Sequence, residues 1–152
     1  MMEHFEANAA LGMEAVQLTA AAARGDIDAQ RKLRDYALES MAEKVAANAL
    51  AYAHGHAVEA MIWARLAASH GEEEDAIQLT AALAYLSEFW GMDGEGQEYG
   101  NFLLGEVVTI LDGLASRGNE DAAISLNAVS EMLNPRISNM AKKIKETVDA
   151  GF

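Results

Sequence analysis

Three stretches carry the same joint: residues 21–33, AAARGDIDAQRKL; residues 67–79, AASHGEEEDAIQL; and residues 114–126, LASRGNEDAAISL. In each, small residues lead to a glycine (Gly25, Gly71 or Gly118), an acidic or amide residue follows, and a leucine stands eight positions past the glycine. A glycine just beyond a run of helix formers stops a helix, because it enters the left-handed region without Cβ strain. Acids or amides next to it suit the start of another helix, where unpaired backbone N–H groups face outward. The three stretches therefore predict helix–turn–helix joints with positive φ at each glycine. Their spacing of 46 and 47 residues points to stacked helical hairpins.

Working outward, the first helix is predicted over residues 12–24, with Ala15, Leu18 and Ala22 on its apolar face. Residues 26–53 allow two alternatives. Leu33, Ala37, Met41, Val45, Asn48 and Tyr52 could share one face of a long helix, yet Ser40-Met41-Ala42-Glu43 has the form of a capping box. A break near Ser40 is favoured. Helices follow over residues 58–70 (Met61, Ile62, Leu66), 72–90 (Leu79, Ala82, Leu83, Leu86, Trp90) and 97–117 (Leu103, Val107, Ile110, Leu111, Leu114). Asn119 caps a further helix through residue 133, with Ile124, Ala128 and Met132 on one face. Asn134-Pro135 then places a cap residue before Pro at the first helical position. In the last helix Ile137, Met140, Ala141, Ile144 and Val148 form an apolar face opposite Lys142, Lys143 and Lys145, and Gly151 stops it.

Composition supports helix throughout. Ala, Leu, Glu and Met are abundant, Pro occurs once, and no long apolar–polar alternation suggests a strand. The fold class expected is all-α, built of stacked antiparallel helical hairpins, as a short α-solenoid or a compact helical-repeat bundle. At 152 residues the chain fits a single helical-repeat domain, residues 1–152. The absence of Cys excludes disulfides and thiolate chemistry and fits a cytoplasmic protein. The N-terminus lacks the pattern of a secretory signal, and no stretch is apolar enough to predict a membrane span.

The net charge of −13 is unevenly spread. Residues 66–116 contain ten acids and no Lys or Arg. Such a field disfavours direct nucleic-acid binding; it serves solubility and can steer a basic partner.

Part of the chain resembles the Sel-one-like repeat, a relative of the tetratricopeptide repeat. Ala60-Met-Ile-Trp63-Ala-Arg-Leu-Ala67-Ala68-Ser-His-Gly71 matches its second-helix pattern, and Tyr52-Ala-His-Gly55 looks like the ending of its first helix. Asp75 stands where that family has Ala. The resemblance implies an adaptor that holds a peptide or protein on a helical surface.

Other constellations weigh less. His54, His56 and His70 could supply imidazoles to Zn²⁺, but turn and helix-end roles explain them better. The acidic loop over residues 91–98 lacks the ligand register of a Ca²⁺ loop. No nucleophile motif or phosphate-binding Gly loop is present. No catalytic residues, metal site or cofactor are therefore expected.

The function expected is a non-enzymatic protein–protein interaction module binding a partner protein or peptide, basic partners included, through an acidic, aromatic-flanked helical surface. The alternative is an acidic inhibitor occupying a basic, nucleic-acid-binding site on a target. A metal enzyme within a helical bundle is a distant third. The candidate partner-binding residues are Tyr52, Trp63, Glu72, Glu73, Glu74, Asp75, Trp90, Asp93 and Glu95. Tyr and Trp are residues that commonly anchor interfaces. Reversing Glu72, Glu73 and Asp75 to Lys is expected to remove binding without unfolding the chain.

Overall fold

The computed structural model describes residues 2–90 and 94–151, with side chains described for residues 12–90 and 96–151. Among the described residues there are seven helices and no strand. The chain divides into two compact units, Met1–His70 and Gly71–Phe152. The first holds α1 (Met2–Ala23), α2 (Ile27–Ala46) and α3 (Leu50–Ala68). The second holds α4 (Glu73–Glu88), α5 (Gly94–Ser116), α6 (Glu120–Ser130) and α7 (Pro135–Asp149).

The glycine joints form as their chemistry dictates. Gly25, Gly71 and Gly118 have φ of 92°, 93° and 92°. At the first, the Gly25 amide donates to the Ala22 carbonyl at 3.0 Å and the Asp26 amide to Ala21 at 3.1 Å. These two bonds satisfy carbonyls that the helix end leaves unpaired. Asp26 then begins the next helix: its Oδ1 accepts from the Ala29 amide at 2.9 Å. The third joint repeats this arrangement, with Gly118 donating to Ala115, Asn119 donating to Leu114, and Asn119 Oδ1 accepting from the Ala122 amide. One residue thus closes one helix and caps the next. Gly71→Val should destabilise the chain by roughly 1 kcal/mol or more, because a β-branched residue is strained at positive φ. An unchanged midpoint in urea denaturation would contradict this.

In the first unit, α2 runs without interruption through Ser40, contrary to the expected break. Leu33, Ala37 and Met41 are all buried at one-turn spacing, so breaking the helix at Ser40 would forfeit that packing for a cap worth about 1 kcal/mol. The helix ends instead at Ala46, and just beyond it Asn48 takes φ of 55°, while the Ala49 amide donates to Lys44 at 2.8 Å. Asn is a recognised substitute for Gly at this position. Helix α3 begins at Leu50 and continues through Gly55, so residues 52–55 do not form a helix ending. Its buried stripe is Ala53, Ala57, Ala60, Ala64 and Ala67. The larger Ile62 and Leu66, expected inside, are exposed, and Met61 is half-buried. Small side chains let α3 approach α2 closely; bulky ones are then turned outward.

Gln30 fastens the first unit. Its Nε2 donates to the Ala22 carbonyl at 3.0 Å and its Oε1 lies 3.1 Å from His70 Nε2. Since Oε1 can only accept, this contact is a hydrogen bond in the His70 tautomer that has its proton on Nε2. His70 is therefore a helix-end brace.

In the second unit the core is Leu79, Ala82, Leu83 and Leu86 from α4 with Leu103, Val107, Leu111 and Leu114 from α5. Helix α5 also packs on α6 and α7, contributing Ala122, Ile137 and Ala141 to the buried set. Asn134 caps α7, accepting from the Arg136 and Ile137 amides at 3.0 Å. Helix α6 departs from expectation: Ile124 is 68% and Met132 63% exposed, Ala128 is exposed, and Ala122 is the residue it buries. Val148 of α7 is also exposed. Among the described residues, no helix is long and apolar enough to cross a membrane.

Candidate functional site

The residues singled out in the sequence fall in both units. Tyr52 is 71% exposed, with Lys44 Nζ placed 6.0 Å from its ring centroid. Trp63 is half-buried and packs against the core cluster of Ala22, Ala29 and Leu33. Much of its surface is thus already used inside the first unit.

In the second unit the acid run does not act as a block. Glu72 and Glu74 are exposed, and Glu74 accepts from Gln78 Nε2 at 3.2 Å. Glu73 Oε2 accepts from Asn119 Nδ2 at 2.8 Å, and its other oxygen lies 3.9 Å from Arg117 Nε. The cation that answers this run stands one residue beyond the basic-free stretch. Asp75 is 1% exposed and interacts within the chain, which corrects its assignment to a partner-binding surface. It occupies the position filled by buried Ala29 and Ala122 in the other joints, four residues past the glycine.

Trp90 is half-buried and meets Tyr99 edge-to-face at 5.1 Å, and Tyr99 stacks on Phe102 at 6.5 Å. These contacts are of a type worth about 0.5–1.5 kcal/mol beyond area, so they first stabilise the α4–α5 corner. Asp93 lies outside the described residues, as does the side chain of Glu95. Glu95 itself is in α5, which begins at Gly94, so much of the expected acidic loop is helix. Among the described residues, no three His, Cys, Asp or Glu side chains gather as a metal site would require. His56 Nδ1 instead faces Glu59 at 3.9 Å.

The feature that sequence inspection missed lies in the first unit. Helices α1 and α2 together line an open groove of about 470 Å³. Its apolar lining is Ala15, which is exposed, with Leu18 and Tyr36, and Leu18 also touches the core cluster. Tyr36 is 49% exposed. Its polar lining is Glu14 from α1 and Glu39, Ser40 and Glu43 from α2. Among its described lining residues there is no Lys or Arg.

Tyr36, Glu39, Ser40 and Glu43 lie at i, i+3, i+4 and i+7, one face of an unbroken helix. Splitting α2 at Ser40 hides that relation, because it puts Tyr36 and Glu39 in one element and Glu43 in another. The signal was present in the spacing.

Two grooves of the second unit differ in charge. One, between α5 and α7, is lined by Glu98 but also by Arg136 and Lys143. The other sets Asp112 and Asp149 beside Arg117 and Lys145. Both signs meet in each, so neither projects the one-sign field of the α1–α2 groove. Compared with family models, curated proteins and solved structures, the chain has no match.

Proposed function

We propose that the chain is a non-enzymatic protein–protein interaction module, acting in the cytoplasm, that binds a partner protein through an acidic, aromatic-flanked helical surface. Its helical pairs are proposed kin of Sel-one-like and tetratricopeptide-like repeats. The observation that carries the functional proposal is the α1–α2 groove, where Leu18 and Tyr36 share one lining with carboxylates from two helices and no cation stands among the described lining residues. Apolar floor and charged rim are the two components of a protein interface: the floor supplies desolvation and the rim supplies steering and register. This surface replaces the mid-chain acid run as the main candidate, since Asp75 is buried and Glu73 is engaged.

Capture from a host lysate tests the role. The full chain is compared with a Glu14→Lys/Glu39→Lys/Glu43→Lys variant at about 0.15 M salt. A specific protein should be retained by the wild type and reduced at least about tenfold by the variant. Failure to retain any protein specifically would sink the proposal. The salt series separates the alternative. An inhibitor that only mimics phosphate charge would be released steeply as salt rises, because exposed charges are screened. A partner seated on Leu18 and Tyr36 should be released gradually.

A further inference from the structure

We infer that the α1–α2 groove receives a single cationic amphipathic helix of another protein. Its apolar stripe lies on Leu18 and Tyr36, and its Lys or Arg residues face Glu14, Glu39 and Glu43. The inference rests on the interaction role proposed above and narrows the class of partner.

Three observations define the occupant. The first is length. From Tyr36 to Glu43 the groove follows α2 for about 10 Å, or two helical turns. An incoming helix would present apolar anchors at i, i+3 or i+4, and i+7 over that distance. The second is backbone chemistry. Both walls are helices whose amides and carbonyls are paired internally, so they offer no edge for strand addition. An extended segment would lay unpaired N–H and C=O groups on an apolar floor, whereas a helix brings its own backbone hydrogen bonds. The third is charge. Acids stand on both walls, and Glu39 and Glu43 are one turn apart, a spacing that matches basic residues at i and i+4 of a facing helix.

A second copy of this chain is a poor occupant. Its basic amphipathic helix is α7, which carries Lys142, Lys143 and Lys145. The N-terminal part of the apolar face of α7 is already spent, with Ile137 and Ala141 buried and Met140 and Ala141 packed against α5 at Gly105, which leaves exposed Val148 near its end. The partner is therefore a different polypeptide.

The test uses the full chain and a labelled Leu/Lys peptide of about 18 residues with its leucines at helical period. Two controls are a scrambled peptide of the same composition and a Leu/Glu peptide with the original pattern. Binding is followed by fluorescence anisotropy at about 0.15 M salt. The Leu/Lys helix should bind, and neither control should. Glu39→Lys/Glu43→Lys should weaken binding at least about tenfold, and Tyr36→Ala about threefold or more. Glu72→Lys/Glu74→Lys changes net charge equally and should alter affinity less than about twofold. If the first double variant misfolds by circular dichroism, Glu39→Gln/Glu43→Gln carries the test, with an expected loss of about threefold.

Equal loss in the two charge-matched variants would overturn the inference, since net charge alone would explain attraction. Equal binding of the scrambled peptide would overturn it too, as would binding of the Leu/Glu peptide. A native partner that occupies the groove through a loop would sink the helical occupant and spare the interaction role. Failure of the capture experiment sinks the role itself.

Discussion

Gly105→Val is expected to destabilise the second unit by about 3 kcal/mol or more, enough to lower its melting temperature on the order of 10–20 °C. A Cβ built on Gly105 would stand 3.0 Å from the Ala141 backbone nitrogen and 3.0 Å from Met140 Cγ. The Met side chain could move, but the α7 backbone could not without shifting the helix. Thr109, one turn further along α5, places its hydroxyl 3.2 Å from the Ala141 carbonyl, so the two helices are joined at this level by contact and by a polar bridge. Pushing them apart would loosen both, and Ile137 and Ala141 would lose burial with them. Gly55 supplies the opposite case. It too lies inside a helix, yet a Cβ there meets nothing within 4 Å. Gly55→Ala should stabilise by roughly 0.5–1 kcal/mol, because Gly is a poor helix former and Ala the best. Thermal denaturation of the two variants checks both signs at once. A Gly105→Val protein melting with the wild type would remove the α5–α7 contact from the account.

Asp75→Lys should cost about 3 kcal/mol or more, whereas Glu72→Lys and Glu74→Lys should each stay within about 0.5 kcal/mol of wild type. All three lie within four consecutive positions of one acidic run. They differ in environment: Glu72 and Glu74 are exposed, while Asp75 is among the largest fully buried side chains of the chain. Replacing it forces a longer side chain of opposite charge into a position that is 1% exposed. Glu73→Lys is a third case, since it would meet Arg117 and lose the bond from Asn119 Nδ2. The combined reversal of Glu72, Glu73 and Asp75 is thus no clean probe of binding, because loss of partner affinity would be confounded with unfolding. Denaturation midpoints of the single variants distinguish the positions. Equal midpoints for Asp75→Lys and Glu72→Lys would show that the buried carboxylate has no structural role.

What the sequence by itself determined was the three glycine joints and the cap of the last helix. Gly25, Gly71, Gly118 and the Asn134-Pro135 cap were legible because a cap is satisfied within a few residues of the same chain. The α4–α5 core was legible as well, since its leucines recur at helical period and are large enough to dominate the pattern. The faces of α2, α3 and α6 were not. In α3 the buried stripe is alanine, and in so Ala-rich a sequence that stripe does not stand out. The capping box at Ser40 is a local preference that continuous burial of Leu33, Ala37 and Met41 overrides. The stripe of Ile124, Ala128 and Met132 has the period of a core face, but only the placement of neighbouring helices decides whether such a face is covered. The candidate groove belongs to the same class. Glu14 comes from one helix, Tyr36, Glu39 and Glu43 from the next, and their meeting depends on how α1 and α2 stand beside one another. That placement is set by side-chain volumes packed across the hairpin, a quantity no local pattern along the chain contains.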